Sequence, residues 1–262
     1  MVEIDGSSLT VREINTTLRA HVDRLHAEGR LADEPMVLRH PDARHNLGVG
    51  VVHPVQLTIA GSAGYFCMGL CDGPNVHIEG NVGWGFADNL LAGRMEVDGY
   101  AGAVCAVAMR DGQIVIRGNV GSRVGQVMKG GSVICGGNAG FGAGSMMMGG
   151  TIIILGNAAQ SMGEFMMDGN IFVAGDITSL GTDAVVVDQL DADADRIAEL
   201  LDSAGLKPPV EPRAFKKIIS DQRALKYQEY EKNELLFNEA QEQKAQSVAA
   251  DGNRDVMTFD SD

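Results

Sequence analysis

Glycine recurs along this chain with a fixed period. Gly61, Gly80, Gly99, Gly118, Gly137, Gly156 and Gly175 stand 19 residues apart without a slip. A second column runs Gly64, Gly83, Gly102, Gly121, Gly140, and a third runs Gly93, Gly112, Gly131, Gly150, Gly169. Methionine keeps the same period at Met109, Met128, Met147 and Met166. Self-similarity at such a spacing is the mark of a solenoid, in which each repeat buries its apolar face only against its neighbours. Of the 34 glycines, 28 lie between Val55 and Gly181, which bounds the repetitive part.

The residues before each first-column glycine decide the type of solenoid. Two positions upstream stand Ile59, Ile78, Val97, Ile116, Cys135, Ile154 and Val173. Four upstream stand Leu57, Val76, Met95, Ile114, Val133, Ile152 and Ile171. Alternating, mostly β-branched apolar positions read as a short strand. The glycine after it is expected to turn the chain with positive φ. Asn81, Asn119, Asn138 and Asn157, with Asp176 in the last repeat, are expected to tolerate left-handed backbone and to bond neighbouring main chain. Nineteen residues suit one rung of a parallel β-helix, and seven rungs at about 4.8 Å make a rod of roughly 34 Å. The leucine and asparagine spacing of a leucine-rich repeat is absent. So are the three equivalent apolar positions per turn of a hexapeptide coil. The fold class is therefore mainly β, a single-stranded parallel solenoid with flanking helices.

The outward strand column reads Thr58, His77, Glu96, Val115, Ile134, Ile153, Phe172. Its last four members form an apolar stripe that requires a cover. Either the chain's own C-terminal segment or another protein can supply it. We read Val115, Ile134, Ile153 and Phe172 as partner-facing.

Four segments follow. Residues 1–54 hold a helix over 7–29 and a lead-in strand near Pro35 to Leu38, with Thr10 and Glu13 as a capping box. Residues 55–181 are the rod. Residues 182–210 hold a second helix from Asp191 to Ala204, stopped by Gly205, and the linker Lys207-Pro208-Pro209. Residues 211–262 read as a charged arm, extended or in broken helices, ending in a loose acidic tail.

Charge and chemistry narrow the function by exclusion. The net charge of −14 repels phosphate backbones, so nucleic acid is not an expected partner. No apolar run approaches the ~18 residues of a membrane span. Met1 to Gly6 carries no secretory pattern. Cys67, Cys71, Cys105 and Cys135 lack paired zinc spacing and read as reduced thiols of a cytoplasmic protein. His40, His45 and His53 near Asp42 match no metal pattern, and surface roles suit them better. Gly140-Phe141-Gly142-Ala143-Gly144 lacks the following helix of a dinucleotide site, because another rung follows it. The methionine column suits core filling better than soft-metal binding. Arg110 and Lys129, one period apart, read as solvated charges rather than an anion site. A carbohydrate-active β-helix enzyme would need acids and bases on neighbouring rungs, yet only 14 of 127 rod positions are charged. No catalytic, cofactor-binding or metal-ligating residue is read in this chain.

With the columns in view, the pattern resembles the GXGXG domain family, the right-handed β-helix of the glutamate synthase large subunit. Glu13-Ile14-Asn15-Thr16-Thr17-Leu18-Arg19, Arg44-His45-Asn46-Leu47, the seven rungs and Asp176 to Gly181 look most like the B subunits of the N-methylglutamate synthase (methylamine–glutamate N-methyltransferase) type. The likeness covers roughly Val11 to Gly205. It implies a non-catalytic structural subunit of a hetero-oligomer, with an amidotransferase-like subunit and a glutamate-synthase-like subunit as partners. FMN and an iron–sulfur cluster would sit in the latter. The complex would form N-methylglutamate from glutamate and methylamine, releasing ammonia. Two assemblies with the same rod are the alternatives: a scaffold subunit of a formylmethanofuran dehydrogenase or formyltransferase/hydrolase complex, and a GXGXG subunit of glutamate synthase itself.

Overall fold

The computed structural model describes residues 2–31 and 34–222. Among those residues its sheet has eleven strands, which follow chain order except that the last two change places. The strands of the rod proper are β3 (Gln56–Ala60), β4 (Asp72–Ile78), β5 (Ala92–Val97), β6 (Gln113–Ile116), β7 (Ser132–Cys135), β8 (Met148–Ile154) and β9 (Asp168–Val173). Each pairs in parallel with the next at an offset of one period, as in Leu57↔Val76 and Ile114↔Val133. A second line of parallel bridges joins Ala63, Val82, Ala101, Val120, Ala139, Ala158 and Ile177. The chain is a β-solenoid of about seven turns, and the period fixes both lines of pairing.

Both inward strand columns are closed to solvent: Ile78, Val97, Ile116, Cys135 and Ile154 are all fully buried. Met109, Met128, Met147 and Met166 are buried in the same core. Unbranched, flexible thioethers suit a space bounded by an irregular arc.

The glycines act differently from expectation. Of the first column only Gly61 has positive φ. The other six are needed for close approach: a Cβ on Gly118 would lie 2.8 Å from the Gly99 carbonyl oxygen of the rung below. Positive φ belongs to the third column, as at Gly112 (+96°) and Gly150 (+87°), where the chain bends into the strand. The asparagines are not left-handed either. They form a ladder instead. The Asn119 Oδ1 accepts the Asn138 N–H at 2.8 Å, the Asn138 Oδ1 accepts the Asn157 N–H at 2.7 Å, and the Asn157 Oδ1 accepts the Asp176 N–H at 2.8 Å. A backbone donor that would otherwise face the crowded rung below thereby gains an acceptor.

Elements outside the repeat continue the sheet at both ends of the rod. β1 (Val2–Asp5) and β2 (Met36–Arg39) extend the parallel sheet at its start, β1 having no repeat signal to announce it. Between them α1 (Val11–Ala27) carries the expected capping box at Thr10 and Glu13. Its buried Asn15 donates to the Asn46 carbonyl at 2.7 Å and accepts the Gly48 N–H at 2.8 Å. Arg44 reaches the Gly6 carbonyl at 2.6 Å. The motif residues before the rod thus fasten α1 to the first arc.

At the far end, β10 (Ala184–Val187) leads to α2 (Asp191–Ala204), which Gly205 ends in the left-handed conformation, φ +62°. A short 3-10 turn (Pro212–Ala214) precedes β11 (Lys216–Ser220), which runs antiparallel between β9 and β10. Residues 216–220 are therefore part of the sheet. Leu225, Tyr227, Tyr230, Leu235, Phe237 and the acidic tail lie outside the described residues.

Candidate functional site

The apolar stripe is not partner-facing. Val115, Ile134, Ile153 and Phe172 are at most 2% exposed and pack in one cluster with Ile197, Leu200, Leu201 and Ala204 of α2, and with Phe215. The physical reason lies in α2 itself, whose apolar stripe at helical spacing needs a surface as much as the strand column needs a lid. Both ends of α2 are pinned. Lys217 Nζ meets Asp193 Oδ2 at 2.7 Å near its start. At its end Arg94 donates to the Ser203 carbonyl at 3.1 Å, and Gln113 donates to Ser203 Oγ at 2.9 Å. A guanidinium beside the carbonyl end of a helix is favourably placed for the helix dipole.

The polar members of the same column, Thr58, His77 and Glu96, stay uncovered. They line a shallow cavity of about 220 Å³ with Asn75 and Arg94. Its polar groups are engaged with each other: His77 Nε2 hydrogen-bonds Asp98 Oδ1 at 3.0 Å, Arg94 lies 3.3 Å from Glu96, and Arg117 contacts both Glu96 and Asp98. Among the described residues no serine, threonine or cysteine side chain hydrogen-bonds a histidine, and no three His, Cys, Asp or Glu side chains could hold a metal ion. All four cysteines are buried and unpaired by disulfide. Burial pushes every thiol up, Cys71 and Cys135 to about 11, so none is a thiolate nucleophile near neutrality.

What the sequence reading did not single out lies on the arc that returns each rung to its strand. His45, Tyr65 and Trp84 stack along the rod axis, with centroids 4.5 and 5.5 Å apart. The His45 Nδ1 accepts the Tyr65 N–H at 2.9 Å. The second glycine column makes room for these rings, since a Cβ on Gly102 would lie 2.6 Å from Trp84 Cδ1. Trp84 is nevertheless 56% exposed. Further along the rod, Met146, Met148, Phe165 and Met167 are exposed, and so are Arg110 and Lys129. The signal for both patches was present: large residues at outward positions of the period, in a chain with 5% aromatics.

The fold is a glycine-registered parallel β-solenoid with two exposed patches of large side chains on its arcs. No family model matches the sequence. Over 97 residues the chain is 31% identical to Protein GlxC of Rhizobium meliloti (strain 1021), a stretch covering 37% of this chain. The chain spans about 40% of the length of that curated relative. No helix among the described residues is long and apolar enough to cross a membrane.

Proposed function

We propose that this chain is a structural subunit of a glutamate-synthase-like complex, the GXGXG β-helix that braces catalytic neighbours. The observation that carries the reading is the seven-rung, glycine-registered rod itself, which supplies the fold the GXGXG resemblance implies. The similarity to Protein GlxC adds support. On the strand face Arg94 and Arg117 pair with Glu96, and Arg117 also meets Asp98. A rod of this kind contributes shape and rigidity. Every rung is hydrogen-bonded to two others, so its surface features keep fixed spacings, as positioning of other subunits requires.

Within that class we propose the N-methylglutamate-forming assembly. Glutamate and methylamine enter, N-methylglutamate and ammonia leave, and the reacting groups are held by partner subunits. An amidotransferase-like subunit and a subunit carrying FMN and an iron–sulfur cluster are the proposed partners, and the cytoplasm the proposed compartment.

The test is purification of the tagged full chain from its native host. Stable co-purification of a flavoprotein, flavin absorption in the complex, and methylamine-dependent formation of N-methylglutamate by the complex but not by the chain alone are expected. Co-purification with formyl-transfer activity and no flavin would overturn the assignment. Polysaccharide turnover by the lone chain would overturn the structural role.

A further inference from the structure

The stripe that seemed to need a partner is covered, so the partner-facing surface lies elsewhere. Deepening the reading above, and resting on it for the source of the partner, we infer that the arc of the last rungs docks an acidic, leucine-like apolar segment of a neighbouring subunit. Met146 and Phe165 are one period apart, as are Met148 and Met167, so each pair occupies equivalent positions of adjacent rungs. They are between 39% and 59% exposed. Arg110 and Lys129 continue the Met148–Met167 column, again one period apart. Both are exposed, and neither lies within ion-pair distance of an acid among the described residues.

The pairing of features selects the occupant. Methionine is adaptable and suits surfaces that accept an apolar anchor. Two cations at rung spacing beside that anchor call for carboxylates on the incoming segment. The contrast with the rest of the molecule is what makes this specific. The chain carries a net charge of −14, and most of the described arginines and lysines near acids are already paired. A second copy docked on the same patch by a two-fold axis parallel to the rod would set Arg110 and Lys129 against their own counterparts. An anionic bilayer would meet the acidic remainder of the surface, with Asp111 and Glu164 on the same arc.

The test uses the full chain and two labelled amphipathic peptides, each with leucine along one face and either glutamate or lysine along the other. Binding is read by fluorescence anisotropy and by methyl resonances of ¹³C-labelled methionine. The glutamate peptide is expected to bind at least about tenfold more tightly than the lysine peptide, although the net charge alone favours the reverse. The Met148 and Met167 methyls should shift, and the buried Met109 and Met128 methyls should not. Arg110→Glu with Lys129→Glu should invert the preference. Met148→Ser with Met167→Ser should weaken both peptides while circular dichroism stays unchanged. Four results would overturn the inference. They are preference for the lysine peptide by the unaltered chain, protection of the Met148 and Met167 methyls from a soluble nitroxide in the chain alone, a dimer abolished by the charge reversal, and co-sedimentation with phosphatidylglycerol vesicles. Absence of a flavoprotein in the native purification would instead overturn the function proposed above and leave the peptide result standing.

Discussion

Lys217 Nζ and Asp193 Oδ2 lie 2.7 Å apart, with side chains only 9% and 15% exposed. Asp193 also accepts the Leu190 N–H at 2.7 Å, so one carboxylate joins the start of α2 to β11. Asp193→Ala should leave the lysine without its partner in a nearly closed site and cost about 3 kcal/mol, read from urea denaturation. Replacing both residues with leucine should recover most of that loss. Equal destabilisation by the double change would mean that shape, not charge, holds α2 there.

Ile134→Asp and Ile153→Asp should act on the chain itself, because both side chains are buried under α2. An unpaired carboxylate in that layer disfavours docking by several kcal/mol. Faster tryptic cleavage at Arg196 is expected, with strand protection in the rod largely kept. Cleavage at the unaltered rate would contradict the cover.

The two kinds of glycine should separate experimentally. Gly118→Ala places a Cβ against the carbonyl of the rung below and should prevent native folding, since backbone on a neighbouring rung cannot yield. Gly205→Ala meets open space but keeps φ near +62°, and should cost only about 1–2 kcal/mol in thermal or urea unfolding.

The asparagine ladder is interrupted at Tyr100. Its N–H reaches the Asn81 Oδ1 at 2.9 Å, but its own side chain lacks the short amide oxygen that the ladder uses for the next N–H. Tyr100→Asn should complete the ladder and stabilise the rod by about 0.5–1.5 kcal/mol. Asn138→Ala should destabilise it by about 0.5–1.5 kcal/mol, because the exposed Asn157 N–H exchanges its acceptor for water.

Alkali should unfold the protein through its thiols. Burial raises all four in the folded state, Cys71 and Cys135 from 9.0 to about 11. Below pH 9 both states are protonated and the thiols contribute their full stability. Between pH 9 and about 11 only the unfolded chain loses protons, so stability falls as pH rises, by about 1.4 kcal/mol per unit for each thiol. Denaturation midpoints across this range, compared with a Cys71→Ala variant, measure the slope. A slope unchanged by the substitution would place the alkaline loss elsewhere.

Much of the architecture was legible because repetition multiplies evidence. One apolar column is ambiguous, but seven in register exclude most folds, and α1 and α2 carried ordinary capping and stop signals. What escaped was what depends on contacts rather than pattern. β1 is four residues without a period, and only pairing with β2 makes it a strand. A glycine in sequence does not say whether it serves φ or proximity. Gly118 and Gly112 look alike until the rung below is in place. The stripe from Val115 to Phe172 announced that it needed a cover. Only docking showed that Ile197 and Leu201 supply it. The surface patches were written as outward residues of the period, yet an outward methionine resembles an inward one until the arc is traced.

The last strand to join the sheet runs the wrong way for the repeat. Among the described residues, with Lys216–Ser220 antiparallel beside β9 and only the four residues of β10 at the margin, a further parallel rung finds no template in register. A solenoid with an open final turn could grow end to end into a filament. Here the reversal acts as a full stop, and the rod keeps one length in every molecule.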